Sequence, residues 1–179
     1  MDEQPTAPLV CIVGKSGAGK TCLVERLVAE FKRREYRVAT IKHDVHGFDI
    51  DRPGKDSWRH AQAGSDAVVI SSPKKLALIK RVDRDSSLSL LARLIGPGYD
   101  IIVAEGYKRS DAPKIEVHRK ELSGDLLCAA DELLAVATDE PLGLRCPQFS
   151  LDDASGLVDF IEASLIKGRG SDVAAPSVN

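Results

Sequence analysis

Residues 14 to 21 read GKSGAGKT, and this stretch fits the spacing G-x-x-x-x-G-K-[ST]. The chemistry such a string can do is anion capture. Glycines let the backbone curl until successive N–H groups converge on phosphate oxygens, and a helix starting at the end of the loop adds the positive end of its dipole. Lys20 then carries an ammonium to the β and γ phosphates, and Thr21 offers a hydroxyl oxygen to Mg²⁺. Gly14, Lys15, Ser16, Gly17, Ala18, Gly19, Lys20 and Thr21 are therefore the expected nucleotide cradle. The flanks support this: LVCIVG before the loop has the pattern of a buried strand, and Leu23, Val24, Leu27, Val28 and Phe31 after it share one helical face.

A phosphate loop needs a carboxylate beside its metal, usually at the end of a buried strand. The run IIVAEGY ends its apolar stretch at Glu105, one methylene longer than the usual aspartate. Asp44 follows YRVATIKH and is read as ending a second strand, where carboxyl ends of parallel strands line a ligand crevice. Lys20, Asp44 and Glu105 are the catalytic candidates, and Thr21, Asp44 and Glu105 the candidate Mg²⁺ set. No N-K-x-D string for guanine selection is present. Asp139, after the strand pattern LLAVAT, is the candidate for contacting the base, with an ordinary turn before Pro141 as the alternative; residue types alone do not separate GTP from ATP. Lys15 adds a second cation in the manner of the G-K-x-G-x-G-K-[ST] loops of dimeric ATPases and GTPases, where this lysine reaches the partner subunit's nucleotide. An exposed loop lysine is the other reading.

The polar stretch IKHDVHGFDIDRPGKDSWRH, residues 41 to 60, holds three histidines among many charged groups. Zinc binding through His43, His46 and His60 fits no common ligand spacing, and a solvated loop is the plain alternative. A third reading is a contact surface for anions and Mg²⁺, with Lys42, Arg52, Lys55 and Arg59 facing phosphates. Trp58 is expected to anchor a short helix by packing.

The elements that must position these groups alternate between strand and helix patterns, which is the α/β class with a largely parallel sheet. DSWRHAQAG reads as a short helix stopped by Gly64, and DAVVISSPKKLALIKRV as an antiparallel hairpin. DSSLSLLARLIGPG reads as a helix with Leu88, Leu91, Leu94 and Ile95 on one face, PKIEVHR lies between two buried strands, and a last helix runs from about Asp152. At 179 residues the chain suits a single domain from 9 to 167, with loose tails at 1–8 and 168–179. Its 25 basic against 27 acidic side chains give a formal charge of only −2, which argues against nucleic acid and against an anionic membrane as partners. The four cysteines contain no C-x-x-C pair and are read as buried, reduced thiols. Without a leader pattern or an apolar span, a cytoplasmic protein is expected.

Taken together, GKSGAGKT, TIKHDVHGFDIDRPGKDSWRHAQAG, VVISSPKKLALI and AEGYKRSDAPKIEVHR closely resemble the molybdopterin-guanine dinucleotide biosynthesis protein B family, MobB. The similarity runs from about Leu9 to Ile166. It implies a homodimeric P-loop protein that binds GTP, hydrolyses it weakly, and serves as adapter to the guanylyltransferase that joins GMP to molybdopterin, with molybdopterin itself a further candidate ligand. The hairpin around Pro73 would extend the dimer surface, which exposed strand edges suit. Cys22 belongs to the implied nucleotide set but stands where many P-loops carry a second hydroxyl, a group it cannot supply. Two other classes compete: a P-loop small-molecule kinase, with Asp44 or Asp56 accepting a proton, and a partitioning ATPase on DNA, disfavoured by the near-neutral charge.

Overall fold

The computed structural model describes residues 7–122 and 124–167. It contains two compact units, one made by the chain up to His43 and from Leu88 onward, the other by Asp44–Ser87.

In the first unit, six parallel strands stand in the order β2-β5-β1-β6-β7-β8. They are β1 (Leu9–Gly14), β2 (Val38–Lys42), β5 (Ile101–Glu105), β6 (Lys114–His118), β7 (Leu133–Thr138) and β8 (Gln148–Ser150). The central strands are apolar on both faces because both are covered: Val10, Cys11, Ile12, Val13 and Ile101 to Ala104 are all essentially inaccessible. Edge strand β2 alternates instead, with Ala39 and Ile41 buried while Thr40 and Lys42 face out.

One face is packed by two helices. Helix α1 (Lys20–Arg33) buries Leu23, Leu27 and Phe31, and α4 (Ala154–Ile161) buries Leu157, Val158 and Ile161. Asp153 caps α4 by accepting the Gly156 amide at 2.9 Å, and a π-helical turn at Glu162–Ile166 follows. These side chains meet Val10, Ile12, Val103, Ile115 and Val117 in the larger core.

Among the described residues the other face carries one α-helix, α3 (Leu88–Ile95), because the chain returns from β5 to β6, β6 to β7 and β7 to β8 without one, with only short 3₁₀ turns at Lys120–Leu122 and Ala130–Glu132. Tyr107, Ala112, Leu126, Leu142 and Leu144 from those segments pack against Cys11, Val13, Ile102 and Val136. Loop backbone over a core needs hydrogen-bond partners. Glu116 of β6, 2% exposed, provides them: its two carboxylate oxygens accept the Leu127 amide at 2.7 Å and the Cys128 amide at 3.1 Å. On α3 the inward positions are Leu88, Leu91, Ala92 and Ile95, whereas Leu94, expected among them, is exposed.

In the second unit, α2 (Asp56–Gln62) precedes an antiparallel pair, β3 (Ala67–Ser72) and β4 (Lys75–Lys80), joined through Pro73. The expected hairpin is present, and Gly64 stops α2 with φ +105°. Helix α2 has no fully buried residue, so Trp58 is half-buried rather than a core anchor. All four cysteines are free; Cys11 and Cys128 are buried as expected, but Cys22 is exposed.

Arg34, just after α1, fastens the two helices of the larger core. Its guanidinium meets Glu30 at 2.7 Å, Glu162 at 3.0 Å and Asp159 at 2.5 Å. Hydrogen bonds from Arg33 and then Arg34 hold the Glu30 carboxyl at about 2, against an ordinary 4.5. Between those values the unfolded chain binds more protons than the folded one, so the stabilisation is complete above the unfolded value and is lost as pH falls towards 2. Burial raises the Glu162 carboxyl, but hydrogen bonds from Arg34 and Lys167 outweigh it and keep it low. Melting temperature followed from pH 6 to pH 2.5 is expected to fall, and Arg34→Ala to melt several degrees lower at pH 6 and to show a shallower fall with acid.

Candidate functional site

Helix α1 begins without the usual apparatus. Its N-cap is Gly19 at φ +96°, no side chain caps it, and no acidic residue occupies the first turn. The positive end of the helix dipole is therefore met by no capping side chain and no first-turn carboxylate. Lys20 Nζ donates to the carbonyls of Gly14 at 3.0 Å and Lys15 at 2.8 Å, which fixes the ammonium inside the loop. Ala18 is buried and anchors the loop on the core, while Ser16 and Gly17 are exposed.

The loop can bend this way because Gly14 has no side chain. Its φ is +145°, and a Cβ there would lie 2.5 Å from the Val117 carbonyl oxygen on neighbouring β6.

On the β5 side of the loop, Thr21 Oγ1 donates to Glu105, 2.9 Å from Oε1 and 3.1 Å from Oε2. Lys42 Nζ stands 3.8 Å from the same carboxylate. Adjacent strands set this meeting, since β5 pairs directly with β1. The turn after Glu105 is held from both sides: the Gly106 amide donates to Ile12 O at 2.9 Å and the His43 amide to Glu105 O at 3.0 Å. Tyr107 occupies the left-handed region at φ +59°, a conformation costly for a residue with a side chain, and its ring lies against His43 with centroids 4.6 Å apart.

Asp44 does not end β2, which stops at Lys42. It begins the second unit, where its Oδ1 accepts the His46 amide at 2.9 Å. Its expected role beside the metal therefore has no support in the geometry of the first unit, where Thr21 and Glu105 do come together. The histidines are likewise divided, His43 in the first unit and His46 and His60 in the second, and among the described residues no three His, Cys, Asp or Glu side chains are grouped to hold a metal.

Lys15 carries its ammonium against Gly124, where an added Cβ would lie 3.3 Å from Nζ. Asp139 follows β7 and accepts the Lys120 amide on Oδ1 at 2.9 Å. Cys22 is exposed on the first turn of α1. Sequence reasoning missed Arg119, whose Nε donates to Ala18 O at 3.1 Å; the only signal was a basic residue directly after the strand pattern KIEVH.

A parallel sheet whose first strand opens into a glycine loop, followed by an uncapped helix with a lysine and a threonine at its start, defines a fold of the P-loop NTPase type. Residues 9–139 match the family model described as molybdopterin guanine dinucleotide synthesis protein B, MobB. The chain is 37% identical over 156 residues to a Haemophilus influenzae molybdopterin-guanine dinucleotide biosynthesis adapter protein, covering 87% of this chain and 88% of the relative. It is 32% identical over 168 residues to the Escherichia coli protein of the same name, covering 91% and 96%. The crystal structure of Bacillus subtilis MobB superposes with a TM-score of 0.71 at 26% identity, covering 88% of this chain and 98% of that one. The chain belongs to the MobB family. Among the described residues, no helix is long and apolar enough to cross a membrane.

The close approach at Gly14 makes a graded prediction. Gly14→Ala adds a collision with backbone to an unfavourable φ and is expected to cost about 3 kcal/mol. Gly17→Ala, at φ +78° with nothing within 4 Å, meets only the backbone term of about 1 kcal/mol. Urea unfolding midpoints of the two variants measure the difference.

Proposed function

We propose that this chain is a GTP-binding adapter that assists the guanylyltransferase joining GMP to molybdopterin, acts as a homodimer, and turns GTP over slowly. The observation that carries the nucleotide part is the preassembled pair of Lys20 on the loop carbonyls and Thr21 on Glu105. Two N–H groups of the Lys20 ammonium are spent on Gly14 and Lys15, and the third is left for a phosphate oxygen. Thr21 gives its proton to Glu105 and keeps its lone pairs for a cation. A hydroxyl and a carboxylate at this spot are hard oxygen donors of the kind Mg²⁺ takes, so Thr21 and Glu105 would hold the ion, directly or through water. When bound, Mg²⁺ supplies charge neutralisation of the phosphate oxygens.

Within the chain's own residues, Lys20 binds and orients the phosphates, the α1 amides neutralise them, and Glu105 fixes Thr21. Beyond Lys20 and the α1 amides, this reading assigns no group to the charge developing on the γ phosphate, which supports binding with slow turnover over an efficient hydrolase. On the nucleoside side, Asp139 Oδ2 is the acceptor this reading assigns to the guanine edge. The adapter role and the partner enzyme follow the family and the names of its members. The homodimer is supported by the hairpin, where Val69, Ile70, Leu76 and Leu78 are exposed along two unpaired edges. A cytoplasmic site of action is consistent with this chemistry, which uses cytosolic nucleotide.

Titration calorimetry with Mg²⁺ is expected to show tighter binding of GTP than of ATP. Lys20→Ala should weaken GTP binding by about 10- to 100-fold, the range for losing a charge-assisted hydrogen bond. Added to the guanylyltransferase with molybdopterin and limiting GTP, the wild-type chain should raise dinucleotide formation and Lys20→Ala should not. Equal affinities of wild type and Lys20→Ala would remove the basis of the reading.

A further inference from the structure

The loop has a third cation beside Lys15 and Lys20. Arg119 follows β6, the strand on the opposite side of β1 from β5. Its Nε donates to Ala18 O at 3.1 Å, and its Nη2 stands 3.4 Å from the position a Cβ would take on Gly19. The guanidinium is thus fastened to the phosphate loop itself, with Nη2 and Nε beside the bare glycine that opens α1. Among the described residues, one of its five N–H donors is hydrogen-bonded. The only carboxylate near the two terminal nitrogens among the described residues is Asp139, whose Oδ2 is 3.9 Å from Nη1, beyond hydrogen-bond distance. At 35% side-chain exposure, this is a half-buried fork, held at its base, with neither tine hydrogen-bonded among the described residues.

The surroundings explain why it is held there. Arg119 sits in the turn leaving β6, whose next amide, Lys120 N, is pinned by Asp139 Oδ1 at 2.9 Å. Asp139 leaves the neighbouring strand β7. Two strand ends therefore cooperate to fix the turn that carries Arg119.

The ligand's direction follows from the two flanks of β1. Thr21 and Glu105 mark the β5 flank as the metal and γ-phosphate end, and Lys20 lies between. A nucleotide laid along the loop carries its α phosphate and nucleoside towards the β6 flank. Resting on the nucleotide-binding reading above, we propose that Arg119 is a binding residue for the nucleoside half of the ligand, its terminal N–H groups directed at the α phosphate and its plane available to the purine. A planar, forked cation suits both contacts, which a lysine ammonium does not. The same placement puts Arg119 away from the γ phosphate, so it acts equally on di- and triphosphates.

The test is calorimetric binding of GTP and of GDP, each with Mg²⁺, to wild type, Arg119→Ala and Arg119→Lys, with thermal melting of each variant alongside. Arg119→Ala is expected to weaken GTP and GDP by the same factor, about tenfold, and Arg119→Lys to recover only part of it. A loss confined to GTP would move Arg119 to the γ-phosphate end and overturn the proposal. Unchanged affinity for both nucleotides in a folded variant would make it a structural residue. Should Arg119→Ala fail to fold, Arg119→Lys decides by the same comparison: an equal loss of several-fold for both nucleotides supports the proposal, and wild-type affinity overturns it. A wild-type chain that binds neither nucleotide would instead remove the nucleotide reading as well.

Discussion

The phosphate loop exists in this form because β1 and β6 approach so closely at Gly14 that only a hydrogen atom fits between them. The Val117 carbonyl occupies the space where a side chain would project, and the pairing register sets Gly14 directly against Val117. That contact ends β1 at the loop, starts the curl that brings Lys20 back onto the Gly14 and Lys15 carbonyls, and fixes where the chain leaving β6 must pass. Two residues beyond Val117 is Arg119, so the same contact that shapes the cradle also delivers the cation lying against it. On the other flank, pairing of β1 with β5 carries Glu105 to Thr21. The proposed site is in this sense a property of three adjacent strand ends, and the helix contributes its amides and dipole.

Unlike the first face of the sheet, the second is covered mainly by returning loops, and this has a chemical cost that the sequence meets with charged side chains inside. Lys114, Glu116 and His118 alternate along β6 on that face, and each is less than a tenth exposed. Glu116 satisfies two loop amides, and His118 Nε2 lies 3.1 Å from the Glu140 carboxylate. An unpartnered buried amide costs on the order of 1–3 kcal/mol, so exchanging Glu116 for an apolar residue would leave two such losses. A helical cover would have satisfied its own backbone and allowed an apolar strand.

This also explains which parts of the molecule were legible beforehand. GKSGAGKT, LVCIVG and IIVAE carry their structure locally: glycine spacing and unbroken apolar runs specify loop and buried strands whatever surrounds them. The hairpin was readable from its turn at Pro73 for the same reason. Glu116 was not, because a carboxylate inside KIEVH becomes intelligible only once the loop bearing Leu127 and Cys128 folds over it. Arg119 was missed because its significance is its distance to Ala18, a residue a hundred positions away in the chain. Leu94 was misassigned because α3 has so few neighbours that helical periodicity exceeds what the sheet can cover. Asp44 fell outside the strand because the edge strand loses its pairing partner where β5 ends at Glu105, so β2 stops at Lys42.

The strain after Glu105 is a consequence of the same geometry. The Gly106 amide is drawn to Ile12 O on β1, while the Glu105 carbonyl is held by His43 beyond β2. With the backbone tied on two sides, the next residue has to turn sharply, and Tyr107 does so in the left-handed region although it is not glycine. An isolated tyrosine would relax out of that conformation; here the His43 ring packed on it, and Ser110 N donating to Tyr107 O at 2.9 Å, hold it. The backbone thus keeps the carboxylate aimed at Thr21, and under the proposed reading a cation would meet donors already in place, without a reorganisation that binding would otherwise have to drive.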